Sequence, residues 1–114
     1  MRPIAEALSN VSRVRGVRAA ILTSMQDALP IEAIAHVDVD IEALAAFATS
    51  LMRRARQASE TSRLGGVHFV SLDATLGRVF TARRDDLLAV ALAERDAHAG
   101  LVRVTLQRFL AGVS

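Results

Sequence analysis

The chain is expected to form an α+β domain of order α-β-β-α-β-β-β-α, with helices on both faces of a five-stranded antiparallel sheet. Three observations lead there. From Asp38 to Glu60 the residues Ile41, Leu44, Ala45, Ala48, Leu51, Met52 and Ala55 recur at steps of three and four, the period of an amphipathic helix. Short apolar runs bounded by turn residues lie on both sides of that stretch and read as strands joined tightly enough to form hairpins. At 114 residues, 52% of them hydrophobic, there is chain for one domain and one modest core.

Taken in order, Pro3 to Val14 reads as a short helix, with Pro3 acceptable in a first turn and Ile4, Ala7, Leu8 and Val11 on one face. Gly16 breaks it. Val17 to Thr23 sets Val17, Ala19 and Ile21 against Arg18, Ala20 and Leu22, a strand apolar on both faces except at Arg18. Ser24 to Pro30 is a connector turning at Asp27. Ile31 to Val37 follows as a strand, with Ile31, Ala33, Ala35 and Val37 inward and Glu32 and His36 outward. Asp40 is placed to N-cap the long helix, with Val39 and Leu44 positioned as a hydrophobic staple. Glu42 lies near the positive end of the helix dipole and Arg53, Arg54 and Arg56 toward the negative end. Gly65 and Gly66 stop the helix at the latest.

Thr61 to Gly66 is a loop, Val67 to Leu72 a strand, Asp73 to Gly77 a turn, and Arg78 to Arg83 a strand with Val79 and Thr81 opposite Phe80 and Ala82. Arg84, Asp85 and Asp86 turn the chain again. Leu87 to Leu92 is continuously apolar, as a central strand buried on both faces would be, although its propensities also suit a helix. Asp96 is placed to cap a last helix carrying the stripe Val102, Leu106, Phe109, Leu110 and Val113. The inner stripe of the long helix, Leu44, Ala48, Leu51 and Ala55, is expected to hold the sheet. Its other side presents Ala43, Ala46, Phe47 and Ser50, small side chains around one aromatic that another helix could approach closely.

Composition removes several functions. All fourteen basic residues are arginine, the net charge is only +2, and Trp and Tyr are absent. The arginines are scattered, so neither the basic face nor the stacking aromatics of a nucleic-acid binder are present. No apolar run reaches the length of a membrane span, and MRPIAEAL lacks the apolar core of a secretory signal. No membrane insertion and a cytoplasmic location are the expectation. Without cysteine there is no disulfide framework and no thiol nucleophile. His36, His68 and His98 have no helical metal-pair spacing, and Asp38 with Asp40 and Asp85 with Asp86 are accounted for by capping and turn formation. Ser24, Ser59, Ser62 and Ser71 lack a nucleophile-elbow context. With no lysine, a P-loop lysine cannot exist. Catalytic residues, metal and cofactor are all expected to be absent.

Four pieces resemble the roadblock/LC7 (dynein light chain roadblock-type) family, and within it the bacterial and archaeal members that partner Ras-like small GTPases. They are VRGVRAAILTSMQDALPIEA from Val14 to Ala33, the alanine-rich helix from Ile41, VHFVSLDATLGRVFTA from Val67 to Ala82, and ERDAHAGLVRVTL from Glu94 to Leu106. The resemblance spans Ile4 to Val113 and implies a single domain, 1–114, of profilin-like fold. One departure is Asp27-Ala28 where the family usually has Asp-Gly at the first hairpin turn. A left-handed residue is costly without glycine, so a different turn shape is expected. The chain also has little room for the further C-terminal tail of some GTPase-regulating relatives.

The resemblance implies a homodimer in which the strand after the long helix pairs with its own copy and the two long helices lie side by side. The strand supports this independently, because Val67 to Leu72 is uncharged and would be an aggregation liability if left bare. The dimer residues so expected are Ala43, Ala46, Phe47, Val67, His68, Phe69, Val70 and Ser71. The implied function is a non-enzymatic regulator or scaffold docking a Ras-like small GTPase through Phe47, Ser50, Arg53 and Arg54, an aromatic anchor beside arginines. A purely structural assembly subunit and a small-ligand sensor are the alternatives.

Overall fold

A computed structural model describes residues 3–113. Its elements run α1 (Ile4–Ser12), β1 (Val17–Ser24), β2 (Pro30–Ala35), α2 (Ile41–Thr61), β3 (Phe69–Ala74), β4 (Gly77–Arg84), β5 (Leu87–Ala93) and α3 (Ala99–Ala111). The five strands form one antiparallel sheet in the order β2-β1-β5-β4-β3. The apolar run at Leu87 is therefore the central strand, and its residues 88–91 are buried from both sides.

Two cores sandwich the sheet. Leu8 and Val11 of α1 and Val102, Leu106, Phe109 and Leu110 of α3 pack with Ala20, Leu22, Phe80 and Ala91 on one face. On the other, Ala48 and Met52 of α2 meet Ile21, Val79, Leu88 and Val90. The hydrophobic effect, at roughly 25 cal/mol per Å² of apolar surface, drives both. The core under α2 is the smaller of the two, built mainly from Ile21, Met25, Met52, Val79, Leu88 and Val90, whereas the α1/α3 core carries most of the buried alanines.

Local features correct several expectations. Val17 joins Ala20 and Leu22 rather than Ala19 and Ile21, because the ladder slips between Val17 and Ala19 where β1 meets β5. One extra residue reverses the alternation upstream of it. In β2 only Ala33 and Ile34 are packed, on opposite faces, while Ile31, Ala35 and Val37 are exposed rather than inward. The reason is position: β2 is an outer strand that the helices cover only at its centre. His36 lies at the surface, but its Nε2 is 3.0 Å from the Ser12 carbonyl, fastening β2 to the end of α1.

Capping follows the same logic of satisfying orphan backbone groups. Asp40 caps α2 as expected, its Oδ1 accepting from Ala43 N–H at 3.0 Å. The stop of α2 comes before either glycine. Arg63 takes the left-handed conformation at φ 59, while Leu64 N–H donates to Ser59 O and Arg63 N–H to Glu60 O, a Schellman motif with arginine in the usual glycine position. Asp96 does not cap α3; His98 does, its Nδ1 accepting from Leu101 N–H at 3.0 Å. At the first hairpin Ala28 adopts φ 60, the left-handed conformation that glycine would supply. The turn keeps this shape with several bonds: Asp27 Oδ1 accepts from Leu29 N–H at 3.0 Å, and Ser24 O accepts from Ala28 N–H at 2.9 Å.

Candidate partner-docking surfaces

The sequence of α2 divides its circumference three ways. Ala45, Ala48, Thr49, Met52 and Ser59 are buried. Thr49 and Ser59 are polar members of this face, tolerated because their hydroxyls donate to Ala45 O at 2.8 Å and Gly65 O at 2.7 Å. Of the inner stripe expected from spacing, Ala48 is buried, whereas Leu44, Leu51 and Ala55 are half-buried and form a flank. Ala43, Phe47, Ser50 and Arg54, spaced i, i+4, i+7 and i+11, make one exposed stripe, with Ala46 exposed beside it. Phe47 keeps 46% of its surface exposed, a large apolar group at the middle of an otherwise small or charged row.

Arg53 points elsewhere. Its guanidinium donates to the carbonyls of Met25 and Gln26, so it ties α2 to the β1–β2 connector while remaining exposed. Spacing did not reveal a second apolar surface: Leu29 just before β2, Ile31 within it and Val37 just beyond it are 57%, 50% and 48% exposed. Alternation had placed Ile31 and Val37 inside. What could have found them is Pro30, which marks an outer strand by its missing N–H.

The expected dimer strand, Val67 to Leu72, is the other sheet edge with shifted bounds: β3 runs Phe69–Ala74, so Val67 and His68 precede it and Asp73, expected in the turn, lies within it. Of its named residues, Val67 and Val70 are half-buried against the α2 core, and Phe69 is half-buried against the α3 core. His68 and Ser71 are exposed. Arg103 of α3 stands over the Phe69 ring at 4.6 Å from its centroid, and Arg78 over Phe80 at 4.9 Å, both cation–π geometries. Arg78 also pairs with Asp73 on β3.

An open cleft of about 410 Å³ lies between β4 and α3, lined by His68, Ala82, Arg83, Arg84, Gln107, Leu110 and Ala111. Its arginines are engaged with the backbone: Arg84 donates to Leu110 O and Ala111 O, and Arg83 to Val67 O and Asp85 O. Among the described residues no group of three or more His, Cys, Asp or Glu could hold a metal ion. None of the helices among those residues is long and apolar enough to cross a membrane.

A five-stranded antiparallel sheet with α1 and α3 on one face and α2 on the other is the architecture of a roadblock/LC7 domain. The Roadblock/LC7 domain profile matches residues 3–93, and the chain belongs to that family, whose members are scaffold and regulatory domains without catalytic motifs. Among solved structures it is similar to a Roadblock/LC7 domain from Streptomyces avermitilis, with TM-score 0.85 and 23% identity over 96% of this chain and 92% of that one. It is also similar to MglB from Myxococcus xanthus, with TM-score 0.81 and 10% identity over 93% and 87% of the two chains. The gliding protein MglB of Thermus thermophilus gives TM-score 0.82 and 14% identity over 93% and 82%. No curated protein matches.

Proposed function

We propose that the chain is a non-enzymatic homodimeric scaffold or regulator, active in the cytoplasm, that binds a Ras-like small GTPase. The observation that carries this reading is the exposed stripe of α2, where Phe47 stands free between small residues with Ser50 and Arg54 in line. Aromatic and arginine anchors in such a setting are the usual hot spots of an interface. Arg53 contributes by holding the helix against the β1–β2 connector, and Leu29 and Ile31 extend the apolar surface there. Membership of a family whose bacterial branch partners Ras-like GTPases, and likeness in fold to the MglB structures, support the same partner class. Ala43, Ala46 and Phe47, with the stretch from Val67 to Ser71, border the self-contact.

The test is titration of the purified protein with Ras-like GTPases loaded with GDP or a GTP analogue. Saturable, GTP-selective binding is expected. Absence of binding in either state, across the GTPases encoded nearby, would leave an assembly subunit without a GTPase partner as the better reading. A monomer at micromolar concentration in sedimentation would remove the homodimer.

A further inference from the structure

We infer that a second copy of this chain pairs with β3 in one register, Phe69 opposite the partner's Asp73 and Ser71 opposite the partner's Ser71, so that Arg103 receives the partner's Asp73. This rests on the homodimer reading and adds to it a register and a charge pair.

The backbone supplies the first argument. His68 O accepts from Arg83 N–H at 2.9 Å, so by the alternation of an antiparallel ladder Val70, Leu72 and Ala74 also direct their N–H and C=O groups to β4. Phe69, Ser71 and Asp73 direct theirs to the open edge. A two-fold axis makes the pairing reciprocal, and centring it on Ser71 satisfies all three residues on both chains. The neighbouring register toward the N-terminus would need Val67, whose carbonyl already accepts from Arg83 Nε at 3.1 Å. The neighbouring register in the other direction would need Thr75, which lies in the β3–β4 turn.

The side chains supply the second. Directly opposed residues share a face and have Cβ atoms about 5 Å apart. On the α3 face the partner's Asp73 therefore arrives beside Phe69, over which the Arg103 guanidinium already sits. Within one chain Asp73 is four residues further along an extended strand, about 13 Å from Phe69 and out of this reach. On the α2 face Val70 meets the partner's Leu72 in a non-hydrogen-bonded pair, where side chains approach closest. Both are half-buried and apolar. The shifted registers would set Leu72 against the partner's His68, or Ser71 against the partner's Asp73. The Ser71-centred register opposes Val70 with the partner's Leu72 and brings the partner's Asp73, which Arg78 holds within its own chain, to the Arg103 guanidinium.

Because the chain has no cysteine, single-cysteine variants read the register directly. In Ser71→Cys the two Cα atoms lie about 5.5 Å apart, within the ~4.4–6.8 Å span of a disulfide. Mild oxidation should convert that variant to a covalent dimer, with Val70→Cys and Leu72→Cys giving about a tenth of the yield or less, since the partner's copy of each is offset. Preferential cross-linking of either of those, or of none while sedimentation shows a dimer, overturns the register and leaves the dimer standing. A monomer in sedimentation overturns the dimer itself. The charge pair is read by a double-mutant cycle of Asp73→Ala and Arg103→Ala on the dimer dissociation constant. A coupling of about threefold to tenfold is expected. Strictly additive effects, with circular dichroism unchanged, overturn the contact.

Discussion

The two outer strands of the sheet differ in how their open edges are finished. Strand β2 starts at Pro30, which has no N–H to offer, carries Glu32, slips register against β1 between Leu22 and Thr23, and ends with His36 hooked to α1. Strand β3 pairs regularly with β4 from Phe69 to Ala74, without proline or slippage, and the charge of Asp73 is met by Arg78. Proline, charge and irregularity are the devices that keep an edge from recruiting another strand. The β2 edge has all three; the β3 edge has only the charge of Asp73 near its end. The regular edge is the one that the proposed homodimer uses.

Matched proline substitutions would break that comparison most forcefully. Ser71→Pro and Ala33→Pro each remove an N–H directed to an open edge, since His36 N–H donates to Arg18 O and the alternation turns Ala33 outward. Ser71→Pro deletes one bond from each chain at the dyad, about 1.4 kcal/mol apiece, and should weaken self-association about 100-fold. Ala33→Pro should leave the dissociation constant within about twofold. Sedimentation equilibrium of the two variants decides it; equal effects would mean the edges are equivalent.

Whether the helix face and the strand edge serve different partners is the next question. Phe47→Arg should cost about 2 kcal/mol, roughly 30-fold, in affinity for the GTPase, read by titration calorimetry. The same loss appearing in sedimentation instead would assign Phe47 to the dimer. A smaller effect probes the mounting of that helix. Asp40→Ala removes the cap on Ala43 N–H and should destabilise by about 1 kcal/mol, lowering the melting temperature by about 4 °C at fixed protein concentration. The smallest is a gain at the guarded edge. Ala28→Gly relieves the left-handed alanine at the β1–β2 turn and should raise stability by up to about 1 kcal/mol in urea unfolding. A loss there would mean that the turn takes another conformation.

Much of the fold could be read from spacing because it depends on period. The stripe of α2, the buried run of β5 and the Asp40 cap are local signals, and the structure has all three. The misreadings share a different cause. Ile31 and Val37 alternate like core residues, yet whether an alternating residue is covered depends on which strand lies outermost, a property of the assembled sheet. The slip at Arg18 and the left-handed Ala28 and Arg63 are likewise invisible to residue type, since alanine and arginine give no warning of positive φ. For the candidate surfaces, Phe47 stands out because a single exposed aromatic interrupts an alanine-rich face. The Arg53 tie to Met25 could not be foreseen, being a contact between positions 28 residues apart.

Strand order has a consequence for how the chain comes together. The last strand made, β5, lies between β1 and β4, so the N-terminal hairpin and the β3–β4 hairpin do not touch through the sheet until it arrives. At ribosomal speeds of about 5–20 residues per second, β1 is finished roughly 3–14 s before residue 93 is added. Once clear of the ribosome and until β5 follows, its inner flank, Ala19 to Leu22, lacks its strand partner. Both halves of the sheet must wait for one seven-residue strand, so assembly is governed by a late, long-range closure. A nascent chain paused before Leu87 is the form of this protein most in need of a chaperone.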